Sequence, residues 1–177
     1  MQRSNWSSQL LRGLELSGGT GLDSVRYLRE HGIKLALGRQ ASGAQWRPWK
    51  RIVLRPNVVE ADQDLTYAMS LIVHEVRHLQ QGWLVALSVY GELEAWQLQF
   101  RYLESLHARI GQHGNASPFI ERLLDLPLGW NRSVLRQAQG LMRAYGGPKY
   151  HADLLPLYPF HKEVLYLLGL CSPVRAA

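Results

Sequence analysis

The chain has only one cysteine, Cys171, among its 177 residues. That excludes an internal disulfide framework and a zinc site built from several thiolates. Long apolar runs are missing too. The most apolar stretches, such as Leu71–Val73 and Val164–Leu170, are far too short to cross a bilayer. The N-terminal MQRSNWSSQLLRGLELSGG has no apolar run of signal-peptide length. These absences lead us to expect a cytoplasmic protein with no membrane partner. Internal repeats, helix-turn-helix spacing, zinc fingers and phosphate-binding glycine loops are also absent. Acidic residues are missing between Glu30 and Glu60, whereas Lys34, Arg39, Arg47, Lys50, Arg51 and Arg55 all fall there.

What is present suffices for a folded core. Hydrophobic residues make up 46% and charged residues 19%, with six Trp and eight Tyr, which excludes global disorder. The length suits a single domain over 1–177, with a core at about 22–110 and a C-terminal helical part at about 117–171. The Ser17–Gly21 run breaks the chain, and Leu22 to His31 reads as a short helix closed by Gly32. Ile33–Leu37 is a short strand candidate and Gly38–Pro48 a loop. Arg51–Arg55, β-branched at its centre and stopped by Pro56, is the best strand. Asp62 or Asp64 can cap a long helix over about 65–81 that Gly82 ends. A second long helix covers about 91–109. Shorter helices follow Ser117-Pro118, Asn131 and His161. The fold class is α+β, predominantly helical, with a small sheet in the N-terminal half.

Within the first long helix, His74-Glu75-Val76-Arg77-His78 matches HExxH. From average residue usage, a chance match in a chain this long is on the order of one in a few hundred. Residues four apart stack on one helix face, so both imidazoles can reach a single metal ion. Glu75 projects about 100° round from His74, within reach of a water at that ion. Zinc lowers the pKa of such a water to roughly 7, and the carboxylate can take its proton. A helical wheel places Leu65, Ala68, Met69, Ile72, Val76 and Leu79 on one apolar face, with His74 and His78 opposite. That division suits a metal-binding helix at a cleft floor, and equally an ordinary solvated helix.

A catalytic zinc commonly takes three protein ligands and leaves one position for water. On the second long helix Glu92 falls among Leu93, Trp96, Phe100, Leu103 and Leu106. Glu94 falls opposite with Arg101 and Ser105, where a surface carboxylate belongs. An inward carboxylate needs a partner. That partner is either one zinc ion held with His74 and His78, or a buried arginine, or backbone amides near Gly91. Glu94 is the alternative ligand.

These residues resemble those of zincin-like metallopeptidases, in particular the gluzincin branch, where the HExxH histidines and a glutamate on a later helix hold zinc. Glu92 to Ala95 reproduces the E-x-x-A pattern on which that glutamate often lies. The resemblance implies a zincin-like fold, zinc ligands at His74, His78 and Glu92, and a general base at Glu75. It also implies a peptide or protein substrate, paired with an edge strand at Arg51–Arg55 through Arg51, Val53 and Arg55. The sequence departs from the branch in two places. The connection from His78 to Glu92 is short, and Trp96 stands where many members carry Asp or Asn.

Hydrolysis needs a further group to stabilise the oxyanion. Tyr150, His151, Tyr158 and His161 cluster in the C-terminal segment, and Tyr158 and His161 are the candidates. Trp46-Arg47-Pro48-Trp49-Lys50-Arg51 mixes cations with aromatics, as surfaces for single-stranded nucleic acid do, and equally as a solvated strand end does. The expectation is therefore a zinc metallopeptidase. Its alternative is a catalytically inactive zincin-like module that binds nucleic acid or protein.

Overall fold

The computed structural model describes residues 6–40, 42–47, 50–61, 65–109, 117–147 and 150–169. Its elements are mostly helical with one three-stranded sheet, as the α+β reading requires. The chain divides into two compact units, one of residues 1–77 and 98–114, the other of 78–97 and 115–177. Two long helices, α4 (Thr66–Gln81) and α6 (Val89–Arg109), each contribute to both. Among the described residues no helix is long and apolar enough to cross a membrane.

The first unit opens with α1 (Trp6–Ser17) and α2 (Gly19–Glu30). Leu10, Leu14 and Ser17 repeat at helical spacing and form the buried stripe of α1. This helix was not foreseen, because its polar residues hide a narrow apolar seam. The break expected over Ser17–Gly21 shrinks to Gly18, and Gly21 lies within α2. A Cβ on Gly21 would sit 2.5 Å from the Leu14 carbonyl oxygen, so glycine here lets α1 and α2 approach closely. Ser17 Oγ donates to Leu14 O at 2.6 Å and lies 2.8 Å from Tyr102 OH.

The sheet comprises β1 (Lys34–Leu37), β2 (Ala44–Arg47) and β3 (Arg51–Leu54) in the order β1-β3-β2. β3 pairs parallel with β1 and antiparallel with β2. Part of the Gly38–Pro48 stretch read as loop is therefore strand β2. The assignment of Arg51–Arg55 as an edge strand is corrected: β3 is central, and both of its sides are occupied. One face carries Ile52, Leu54 and Ala44, all buried; alternate positions Lys34, Arg51 and Arg47 are exposed. Helix α3 (Pro56–Ala61) follows. The proposed caps Asp62 and Asp64 lie outside the described residues.

The second unit contains α5 (Trp83–Ala86), α7 (Pro118–Leu124), α8 (Arg132–Gly146), a 3-10 turn at Ala152–Leu154, and α9 (Phe160–Leu167). Asn131 caps α8 as expected, its Oδ1 accepting from the Ser133 and Val134 amides. The fully buried Gln97 of α6 donates to the Leu123 and Leu126 carbonyls, both at 2.8 Å. These bonds satisfy carbonyls at the end of α7.

Candidate metal centre

Helix α4 departs from its expected two-faced pattern. Residues 68–76 are buried without interruption, so the histidine side is interior rather than solvated. His74, Glu75 and His78 are 8%, 6% and 4% exposed. Polar groups this deep must be satisfied by specific partners, since water cannot reach them freely.

The partners of His78 define its chemistry. Gln81, one turn on, turns its amide towards three groups. Its Nε2 donates to Gly91 O at 3.0 Å and to Glu94 Oε2 at 2.8 Å. Its Oε1 lies 3.1 Å from His78 Nδ1. With the amide nitrogen committed to two acceptors, Oε1 accepts, and His78 carries its proton on Nδ1. The lone pair is then on Nε2, which faces Glu92 Oε1 at 3.5 Å.

Glu92 is held in the same manner, by its other oxygen. Oε2 accepts from Trp96 Nε1 at 3.1 Å and from the Tyr150 hydroxyl, and Trp96 Nε1 is also 2.8 Å from Tyr150 OH. The arrival of Glu92 at this point depends on the tight connection before it. Ser88 Oγ donates to Val85 O and accepts from Gly91 N. A Cβ on Gly91 would meet the Val85 carbonyl carbon at 2.8 Å, so only glycine lets α6 start this close to α5.

His74, His78 and Glu92 each offer a ligand atom, and these atoms lie within 4.8 Å of one another. Two ligands each about 2.0–2.1 Å from a tetrahedral zinc are roughly 3.3–3.4 Å apart. The His78–Glu92 separation of 3.5 Å fits that spacing; a pair as far apart as the 4.8 Å limit of the group has to close by about 1.4 Å to reach it. A lone-pair nitrogen facing a carboxylate oxygen also needs something positive between them, either a proton on His78 or a cation. The donor set of two imidazoles and a carboxylate suits zinc.

Glu75 occupies a different contact. Its Oε2 accepts from the backbone amide of Trp46, on edge strand β2, at 2.6 Å. Glu94, expected on the surface, is half-buried and bound to Gln81, and it is not one of the three converging residues. Tyr158 is buried with its ring 6.4 Å from that of Trp130, and His161 is exposed. The C-terminal tyrosine that reaches Glu92 is instead Tyr150. Helix α8 ends at Gly146, and Gly147 adopts φ 74°. A Cβ on Gly146 would meet Tyr150 Cβ at 2.5 Å. This glycine pair is the sequence signal that the chain folds back there.

Arg51, Val53 and Arg55 do not form a substrate edge. The backbone of β3 is paired on both sides, Val53 is 6% exposed, and Arg55 donates its amide to Gly43 O. In the mixed run, Pro48 and Trp49 lie outside the described residues. Trp46 is half-buried, while Arg47, Lys50 and Arg51 are exposed. Compared with known proteins, no family model, no curated protein and no solved structure matches the chain.

Proposed function

We propose that the protein is a zinc-dependent metallopeptidase of zincin-like type, holding one zinc ion through His74, His78 and Glu92. The observation that carries this reading is that one ligand atom from each of those three side chains lies within 4.8 Å of the others, with Glu75 between the two histidines on α4 and Glu92 coming from α6. Zinc bound there supplies a Lewis acid and makes a water more acidic. The protein's own groups do the rest. Gln81 keeps the His78 lone pair on Nε2, and Trp96 and Tyr150 hold Glu92 by Oε2. The Trp46 amide fixes one oxygen of Glu75, and the other oxygen takes the proton from the attacking water. As the water oxygen bonds to the scissile carbonyl carbon and the C–N bond breaks, Glu75 returns that proton to the leaving amine.

The test pairs metal content with cleavage. Purified wild-type chain should carry about one zinc by elemental analysis and cleave an unfolded protein. His74→Ala should lose both. Glu75→Gln should keep the zinc and lose cleavage, and hydrolysis retained in that variant would remove Glu75 from the mechanism.

One observation favours a second reading, a polyanion-binding module. The register aligns Lys34 with Arg51 and Arg51 with Arg47, giving one row of exposed cations across all three strands. Like charges directly opposite one another destabilise a sheet, and a row of phosphates would relieve that repulsion. Binding of a fluorescent oligothymidine should then weaken steeply with salt and disappear in the Lys34→Gln/Arg47→Gln/Arg51→Gln chain. No binding at low salt would dismiss it.

A further inference from the structure

We propose that Tyr150 is a positioning residue that holds the carboxylate of Glu92 by one oxygen and thereby presents the other, Oε1, to the metal. The inference rests on the reading of His74, His78 and Glu92 as zinc ligands, and adds a group that the HExxH and E-x-x-A patterns do not contain.

The geometry assigns the two oxygens of Glu92 different tasks. Oε1 faces His78 Nε2 at 3.5 Å. Oε2 takes two donors, Tyr150 OH and Trp96 Nε1. A carboxylate with no donor on its far oxygen can rotate and offer both oxygens to a metal. Doing so adds a coordination bond and fills the position a substrate water needs. Tyr150 and Trp96 oppose that rotation, because Oε2 would have to leave two hydrogen bonds. They also restrain each other: Trp96 Nε1 is 2.8 Å from Tyr150 OH, and their rings meet edge to face at 5.3 Å. Trp96 is turned inward on α6 and 7% exposed, a rigid platform. Tyr150 is delivered from a separate segment by the Gly146-Gly147 fold-back, with its amide on Gly147 O at 3.0 Å. The hydroxyl is what distinguishes this ring from a packing residue. Neighbouring Tyr145 also meets Trp96 edge to face, at 5.4 Å, and stacks on Phe119, but it is 46% exposed and serves as a matched control.

The test uses cobalt(II) in place of zinc on the full chain, because its visible d–d bands report coordination number without reference to activity. Wild type, Tyr150→Phe, Tyr145→Phe and His74→Ala are stripped of metal and titrated with cobalt against a competing chelator. Near-UV circular dichroism checks folding. Tyr150→Phe keeps the ring and loses only the hydroxyl. It should bind cobalt about 10- to 100-fold more weakly, with weaker d–d bands as the second carboxylate oxygen joins the ion. Tyr145→Phe should match wild type. Trp96→Phe, which removes the other donor on the same oxygen, should shift affinity and spectrum in the same direction as Tyr150→Phe and gives a second route to the answer. Wild-type affinity and an unchanged spectrum in Tyr150→Phe, with cobalt lost in His74→Ala, would overturn the role of Tyr150 and leave the metal centre standing. Wild type binding no better than His74→Ala would overturn both.

Discussion

Replacing Gln81 with methionine keeps the length and flexibility of the side chain and removes every polar contact it makes. Three hydrogen bonds go, to His78 Nδ1, Gly91 O and the Glu94 carboxylate. Neutral bonds contribute about 0.5–1.5 kcal/mol each, and a bond to a charged group about 1.5–3 kcal/mol. Gln81 and Glu94 are half-buried, so water recovers much of this, and a global loss of about 1–2 kcal/mol is expected. The effect on metal should be larger in proportion. Without an acceptor at Nδ1, His78 is no longer fixed in the tautomer that leaves Nε2 available, and lost outer contacts of this type cost about 10- to 100-fold in affinity. That equals roughly 1.4–2.7 kcal/mol. The assay is zinc competition against a chromogenic chelator, alongside urea unfolding of the metal-free chain to separate affinity from stability. Gln137→Met, on the exposed side of α8, controls for the substitution itself. Zinc affinity equal to wild type in Gln81→Met would refute the argument that Gln81 sets the His78 tautomer.

Glu92→Gln should lower zinc retention on dialysis far more than Glu94→Gln, which touches the site through Gln81; equal losses would overturn the ligand assignment. Burial raises the Tyr102 phenol above its ordinary 10.0, with Ser17 and then Arg109 pulling it part of the way back. The fold therefore favours neutral Tyr102, and its stabilisation is intact below pH 10 and lost as pH rises through the raised value. Melting temperature should fall more steeply above pH 10 in wild type than in Tyr102→Phe, and identical slopes would exclude Tyr102 as the source. Gly21→Ala should destabilise by about 1–3 kcal/mol through overpacking, read as a drop of roughly 2–4 °C per kcal/mol in a chain of this size. An unchanged melting curve would show that α1 and α2 can separate without cost.

The long helices and the capped helix after Asn131 were legible because periodicity and end signals agree there. Helix α1 was not, since its seam of Leu10, Leu14 and Ser17 is narrow and ends in a serine whose hydroxyl meets Tyr102, far away in sequence, as well as Leu14 O. Strand β2 was hidden for a similar reason. Ala44-Gln45-Trp46-Arg47 has no β-branched residue, and pairing with β3 overrides its weak propensity. At the site, the inward placement of Glu92 was readable from its apolar neighbours, whereas the burial of α4 on both faces was not, because a wheel reports one helix and not its surroundings. The roles of Gln81 beside His78 and of Tyr150 beside Glu92 were not legible for another reason. Neither belongs to a spacing rule, and each acts by what its second polar atom leaves available on a partner.

The contact between Glu75 and strand β2 reaches beyond proton transfer. An outer strand with an unanswered amide is an invitation to a neighbouring molecule, and strand-by-strand accretion begins at such openings. At Trp46 that opening is closed by a carboxylate from α4. Glutamine at position 75 can still close it through its carbonyl oxygen; alanine cannot. An alanine variant that clumps or expresses poorly would therefore report an unguarded sheet margin rather than a lost base.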